Sequence, residues 1–116
     1  MQVLRPSEDV EEFHAHLYFD AVTRTSAVLL HEKMQSFHPR LKVNTLAEGS
    51  RGPHVMPMFG MDIPKDIFAE VVSFLVLNRG PHSILIHPVS GNELLDHTHH
   101  ALWLGPPQPL NLAVLV

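Results

Sequence analysis

The chain has 116 residues, 45% hydrophobic and 17% charged, with a formal charge of −4. That composition fits one globular domain, residues 1–116, and excludes a disordered chain. Scattered Lys and Arg give no footprint for nucleic acid or an anionic membrane, and no apolar run is long enough to span a bilayer.

The absence of cysteine excludes disulfide and thiolate chemistry. Acidic residues stand near the N-terminus, where a signal peptide would carry basic ones, so a cytoplasmic protein is expected. The unusual number is ten histidines. Imidazole is uncharged near neutral pH and is the commonest metal-ligating side chain. Position has to separate ligands from ordinary surface or core residues.

Residues 1–11 lack a period and read as a loose start. Phe13 to Phe19 alternates: Phe13, Ala15, Leu17 and Phe19 share one face of a strand, His14, His16 and Tyr18 the other. Asp20 sits where a helix N-cap belongs, before a stripe of Val22, Ala27, Leu30, Met34 and Phe37. Pro39 ends that helix. Leu41 to Glu48 reads as a second strand, closed by a turn at Gly49 to Pro53. His54 to Ile63 reads as a third, with a bulge or distorted ladder expected at Pro57. Pro64 opens a second helix whose inward stripe is Ile67, Val71, Phe74 and Leu75, stopped near Gly80. Ser83 to His87 is a short strand and Pro88 to Asn92 a turn. The stretch from Ala101 adds a strand or caps the sheet.

This order is β-α-β-β-α-β, the α+β ferredoxin-like pattern: an antiparallel sheet with two helices on one face. The apolar face of the first strand meets the helices, so His14, His16 and Tyr18 lie on the open face. Residues two apart on a strand are roughly 6.5 Å apart, a gap that two imidazoles leaning on one metal can span. The last strand pairs antiparallel with the first and brings His87 towards them. His14, His16 and His87 are therefore the expected metal ligands. His54 lies on the same face by parity, and His97 can fold back over it; either is a candidate acid–base group. Tyr18 and Trp103 are candidates for an aromatic wall against a flat substrate. Asp20, Glu93 and Asp96 are the available carboxylates should one be a ligand. His31, His38, His82, His99 and His100 read as exposed. Met56, Met58 and Leu85 on an uncovered face would form an apolar patch and favour a homodimer.

The motifs FHAHLYFD (13–20), GPH (52–54) followed by Met58-Phe59, NRGPHSILIHP (78–88), SGN (90–92), DHT (96–98) and ALWLG (101–105) run in order along nearly the whole chain. Together they resemble the small DOPA dioxygenase family, which opens the ring of DOPA and related catechols by extradiol cleavage. The resemblance implies a ferredoxin-like fold, a dimer, a mononuclear non-haem Fe(II), and O₂ with a small aromatic substrate as partners. It carries metal or catalytic roles onto His14, His16, His54 and His87. Val55, where the family pattern has proline, and the turn Val89 to Asn92 depart from it and bear on substrate choice. Zinc or nickel suits the same imidazoles. A zinc-dependent hydrolase or isomerase, and a non-catalytic small-ligand-binding dimeric module, are the competing readings.

Overall fold

A computed structural model describes residues 3–116; Met1 and Gln2, within the expected loose start, lie outside the described residues. The elements are β1 (Glu12–Tyr18), α1 (Arg24–Gln35), β2 (Lys42–Val43), β3 (Met58–Pro64), α2 (Phe68–Asn78), β4 (Ile84–Pro88), α3 (Glu93–Asp96) and β5 (Leu102–Leu104). Short 3-10 turns stand at Ser7–Asp9, Lys65–Ile67 and Leu112–Leu115. The sheet is antiparallel, in the order β2-β3-β1-β4-β5. The βαββαβ pattern is thus present, and the stretch from Ala101 adds a fifth strand beside β4.

Alternation places the core. Ala15 and Leu17 of β1, Phe59, Met61 and Ile63 of β3, and Ile84 and Ile86 of β4 are all buried and belong to one cluster. Ala27 and Met34 of α1 and Val71 and Leu75 of α2 complete it from the helical side. Each Val, Leu, Ile, Phe or Met side chain so withdrawn from water contributes roughly 1.5–3 kcal/mol. A one-residue slip would put this set on the opposite face, so the core also fixes the register.

Four expectations need correction. The first helix begins at Arg24, because Asp20 Oδ1 accepts from the Thr23 backbone N–H and hydroxyl and closes a separate turn. Val22, in that turn, is 92% exposed and is not part of the buried stripe. The second strand shrinks to Lys42–Val43 plus one bridge, Ala47 to Met58. The third starts at Met58, so Pro57 makes no bulge: it stands one residue before the ladder, where a missing N–H costs nothing. The Pro57 carbonyl instead accepts from Phe19 N–H at 3.0 Å.

Among the described residues no helix is long and apolar enough to cross a membrane.

Candidate metal centre

Strand register builds the site on the sheet face away from the helices. His14 pairs with His87 on one side and Asp62 on the other; His16 pairs with Leu85 and Gly60. Side chains at those positions share a face. Across β1 and β4 the Nε2 atoms of His16 and His87 are 3.2 Å apart. The His14 and His87 rings are 5.4 Å apart, centroid to centroid.

Two loops deliver the other imidazoles. His54 belongs to no strand. It closes a tight turn whose backbone pairs Arg51 with His54 in both directions, at 2.8 and 2.9 Å, and a further bridge ties it to Leu110. Its ring lies 4.0 Å from that of His16. His97 follows the single turn of α3, which Asn92 caps by accepting from Leu95 N–H. Buried Asp96 anchors that turn by accepting from the N–H and hydroxyl of Ser90 and from His100. The His97 ring stands 4.2 Å from His87. Five imidazoles thus converge, with ligand atoms close enough for one ion in two triads: His14, His16, His87 and His16, His54, His97.

The nitrogens are sorted by what their rings already bind. Carbonyls only accept, so His87 donates Nδ1–H to Pro88 (2.8 Å) and His97 donates Nδ1–H to Glu93 (2.7 Å). In both, Nε2 therefore carries the lone pair, and that of His87 faces His16 Nε2 at 3.2 Å. The buried Tyr18 hydroxyl and His54 Nδ1 share a hydrogen bond of 2.7 Å; with the hydroxyl donating, the His54 proton sits on Nε2. His14 Nε2 donates towards Glu12 (3.1 Å) and lies 3.4 Å from an Asp62 oxygen. His16 Nδ1 is closed off from solvent and has no hydrogen-bond partner.

Burial sets the charge state. It pushes His54 and His87 down to about 4. Neighbouring His97 and His87 add to the effect at His54; at His87 the Pro88 carbonyl opposes it while His97 and His14 add to it. His16 falls well below its ordinary value, first by burial and then by its four imidazole neighbours. All three are neutral near pH 7, the form that binds metal. The same burial raises the Tyr18 hydroxyl, keeping it protonated.

This donor set fits a divalent, nitrogen-loving metal. Two nitrogens bound about 2.1 Å from one ion at a right angle would stand about 3 Å apart, close to the His16–His87 separation. Neutral imidazoles converging with ligand atoms within reach of one another, two of them with their protons held on the far nitrogen, are arranged as such an ion requires.

A cavity of about 320 Å³ opens beside the five histidines and is walled by Pro53, Val114 and Leu115, with Glu93 at its edge. Tyr18 and Trp103, stacked at 5.9 Å, do not contribute to that wall; Tyr18 reaches the site through His54. Of the carboxylates, Asp20 is spent on its turn and Asp96 on its anchors, leaving Glu93 beside the imidazoles. Glu12 and Asp62, which hold His14, were missed in the sequence, although Glu12 shares the parity of His14. His31 and His82 are buried: His31 donates to the Asn44 carbonyl, and His82 donates to Tyr18 O and meets Ser26 Oγ. His38 and His100 are half-buried and only His99 is exposed. The apolar patch expected of Met56, Met58 and Leu85 is absent, since Leu85 is fully buried and both methionines are half-buried.

Residues 13–114 match the model of the Dopa 4,5-dioxygenase family. A DOPA 4,5-dioxygenase of Amanita muscaria is 35% identical, the alignment covering 99% of this chain and 54% of that protein. An uncharacterized 21.2 kDa protein of Botryotinia fuckeliana is 32% identical over 89% of this chain and 62% of its own length. The chain therefore spans little more than half the length of these curated relatives. The crystal structure of a "putative dioxygenase" from Nostoc punctiforme superposes with a TM-score of 0.91 at 32% identity, covering 97% of this chain and 96% of that one.

Proposed function

The chain belongs to the Dopa 4,5-dioxygenase family, and from that premise we propose that it is a non-haem iron extradiol dioxygenase acting on DOPA or a related catechol. Cleavage between C4 and C5 of a 3,4-dihydroxyphenyl ring breaks the bond outside the diol, which is what extradiol means. The observation that carries the reading is the convergence of neutral imidazoles whose free nitrogens meet beside a cavity.

His14, His16 and His87 would hold the iron, with no more than three protein ligands so that catechol and O₂ can enter. Ferrous iron in that place supplies a Lewis acid for the catechol oxygens and a common template for both reactants. The chain's own groups divide the proton work. His97 presents a bare Nε2 and takes the proton of a catechol hydroxyl. His54 presents Nε2–H, backed by Tyr18, and donates to the negative charge that develops on the substrate. Pro53, Val114 and Leu115 give the substrate ring an apolar wall to lie against. A cytoplasmic setting suits ferrous iron and a chain without thiols. The expected homodimer belongs to the same reading, and light scattering should return twice 13.0 kDa.

The test is oxygen uptake by anaerobically iron-reconstituted protein offered DOPA and simpler catechols, with the ring-opened product followed by absorbance. Uptake matched to product and lost in His16→Ala supports the reading. Tight iron binding with no uptake overturns it.

The second triad favours one alternative: His16, His54 and His97 as ligands. Metal content decides. His14→Ala loses metal and His54→Ala keeps it under the first assignment, and the pattern reverses under the second. Zinc-dependent hydrolysis or isomerisation through the same imidazoles predicts activity without oxygen consumption.

A further inference from the structure

The chain has a single tyrosine and a single tryptophan, and the fold brings them into contact. Tyr18 ends β1 and Trp103 is the middle residue of β5. Trp103 pairs with Leu85 and Leu85 with His16, so both aromatic rings stand on the sheet face that carries the histidines. They stack with centroids 5.9 Å apart and planes 28° apart. On its other side the Tyr18 hydroxyl meets His54 Nδ1 at 2.7 Å, and the His54 ring lies 4.0 Å from that of His16. Tyr18 is buried, whereas Trp103 is half-buried on the edge strand of the sheet. A line of rings therefore runs from the centre to the surface in the order His16, His54, Tyr18, Trp103.

Packing alone accounts for an aromatic pair in a core. It does not account for the order of the line. Phenol and indole are the aromatic side chains that give up one electron most readily, and a phenol does so only if its proton has somewhere to go. Tyr18 has that acceptor already in place: with the hydroxyl donating, the His54 Nδ1 lone pair receives the bond. The Trp103 indole N–H has no partner among the described residues and is not closed off from solvent, so its proton can pass to water. No cysteine is present to serve as the electron source instead.

We propose that Tyr18 and Trp103 form an electron route from the surface to the metal centre, which quenches stray oxidant before it attacks the histidines. The oxidant is hydrogen peroxide, the product when oxygen is reduced at the centre without opening a ring. Tyr18 gives up an electron while its hydroxyl proton passes to His54 Nδ1. Trp103 then gives an electron to the Tyr18 phenoxyl, which takes its proton back from His54, and the indole proton leaves to solvent. In sum, hydrogen peroxide, ferrous iron, one proton and Trp103 become two waters, ferric iron and a neutral Trp103 radical. A one-electron reductant of the ascorbate class, with a proton, restores Trp103 at the surface. The route goes beyond the dioxygenase reading and rests on it only for the metal and the source of the peroxide.

The test mixes anaerobic iron-loaded protein with hydrogen peroxide, freezes it within milliseconds and reads electron paramagnetic resonance. With one tyrosine and one tryptophan in the chain, each radical is assigned without isotope labelling. The wild type should show an indolyl radical that ascorbate removes. Trp103→Phe should leave a longer-lived phenoxyl radical on Tyr18. Tyr18→Phe, which keeps the stack, should show neither radical, and peptide mass analysis should find oxygen added to His16 or His54. A second arm needs neither iron nor catechol. Val114→Cys puts the chain's sole thiol on the wall of the histidine cavity, where it is labelled with a ruthenium polypyridyl photo-oxidant. Flash oxidation should produce the Trp103 radical by transient absorption, and Tyr18→Phe in the same background should abolish it. Equal Trp103 radical yields with and without the Tyr18 hydroxyl, or histidines oxidised to the same extent in all three proteins, overturn the proposal. Catechol cleavage with no radical in either arm sinks the route alone. A Tyr18-dependent radical in protein that cleaves no catechol keeps the route and removes the dioxygenase reading.

Discussion

Metal-free protein should lose stability on mild acidification. His54 and His87 stand at about 4, against 6.5 for an unperturbed imidazole. Above 6.5 neither the folded nor the unfolded chain protonates them. Between 6.5 and 4 the unfolded chain takes up protons that the folded chain refuses, so protons drive unfolding. Below 4 both forms are protonated and the penalty stops growing. By about pH 5.5 each histidine costs about 1.4 kcal/mol relative to neutral pH, and the pair about 3 kcal/mol. His16 and His82 are shifted in the same direction and add to the loss. A domain of this size has a total stability of only about 5–15 kcal/mol. The depressed carboxyls of Asp20, Glu48, Asp66 and Asp96 act elsewhere on the scale. Their contribution is present above the ordinary carboxyl range and is lost only as pH falls below about 4. Urea unfolding followed by circular dichroism in chelator, from about pH 7.5 to 5, measures the slope. The double variant His54→Gln, His87→Gln should flatten it. A wild-type stability that changes by less than about 1 kcal/mol across that window would refute the reasoning, because it would mean the imidazoles take up protons freely in the folded state.

Glu12→Gln and Asp62→Asn should each weaken metal binding by about ten- to a hundredfold, since these carboxylates hold the His14 ring; competition with a chromogenic chelator reads it, and unchanged affinity in both variants excludes the role. Gly60→Ala should keep fold and metal, with stability changed by under about 1 kcal/mol because exposed Asn44 can turn aside. Thermal melting and metal analysis check this; loss of metal would mean that His16 cannot yield at all. Val114→Asp or Leu115→Asp puts a charge on the apolar wall of the histidine cavity, and should raise KM for every catechol alike while metal content holds. An unchanged KM would mean that the ring does not meet this wall.

Local alternation determined a great deal. Phe13 to Phe19 could be read as a strand with its histidines opposite its apolar residues because a period of two leaves no other arrangement once one face is buried. Element order then sufficed for the sheet topology, and β4 beside β1 brought His87 to His14 and His16. Proline and glycine marked where helices stop, and the motif order pointed to the family. Three things were decided only in three dimensions. His54 reaches the site on a tight turn and not on a strand, because the ladder of β3 opens only after Pro57. His31 and His82 carry the same imidazole as the ligand candidates, yet each is buried against backbone carbonyls that no local pattern foretells. The wall of the cavity beside the histidines comes from residues 52–54 and 114–115, far apart in sequence, joined by a bridge from His54 to Leu110 and by the Asn111 N–H donating to Pro53. Periodicity reports which face a residue occupies within its own element; which loops meet over that face depends on long-range packing, which a single sequence does not display.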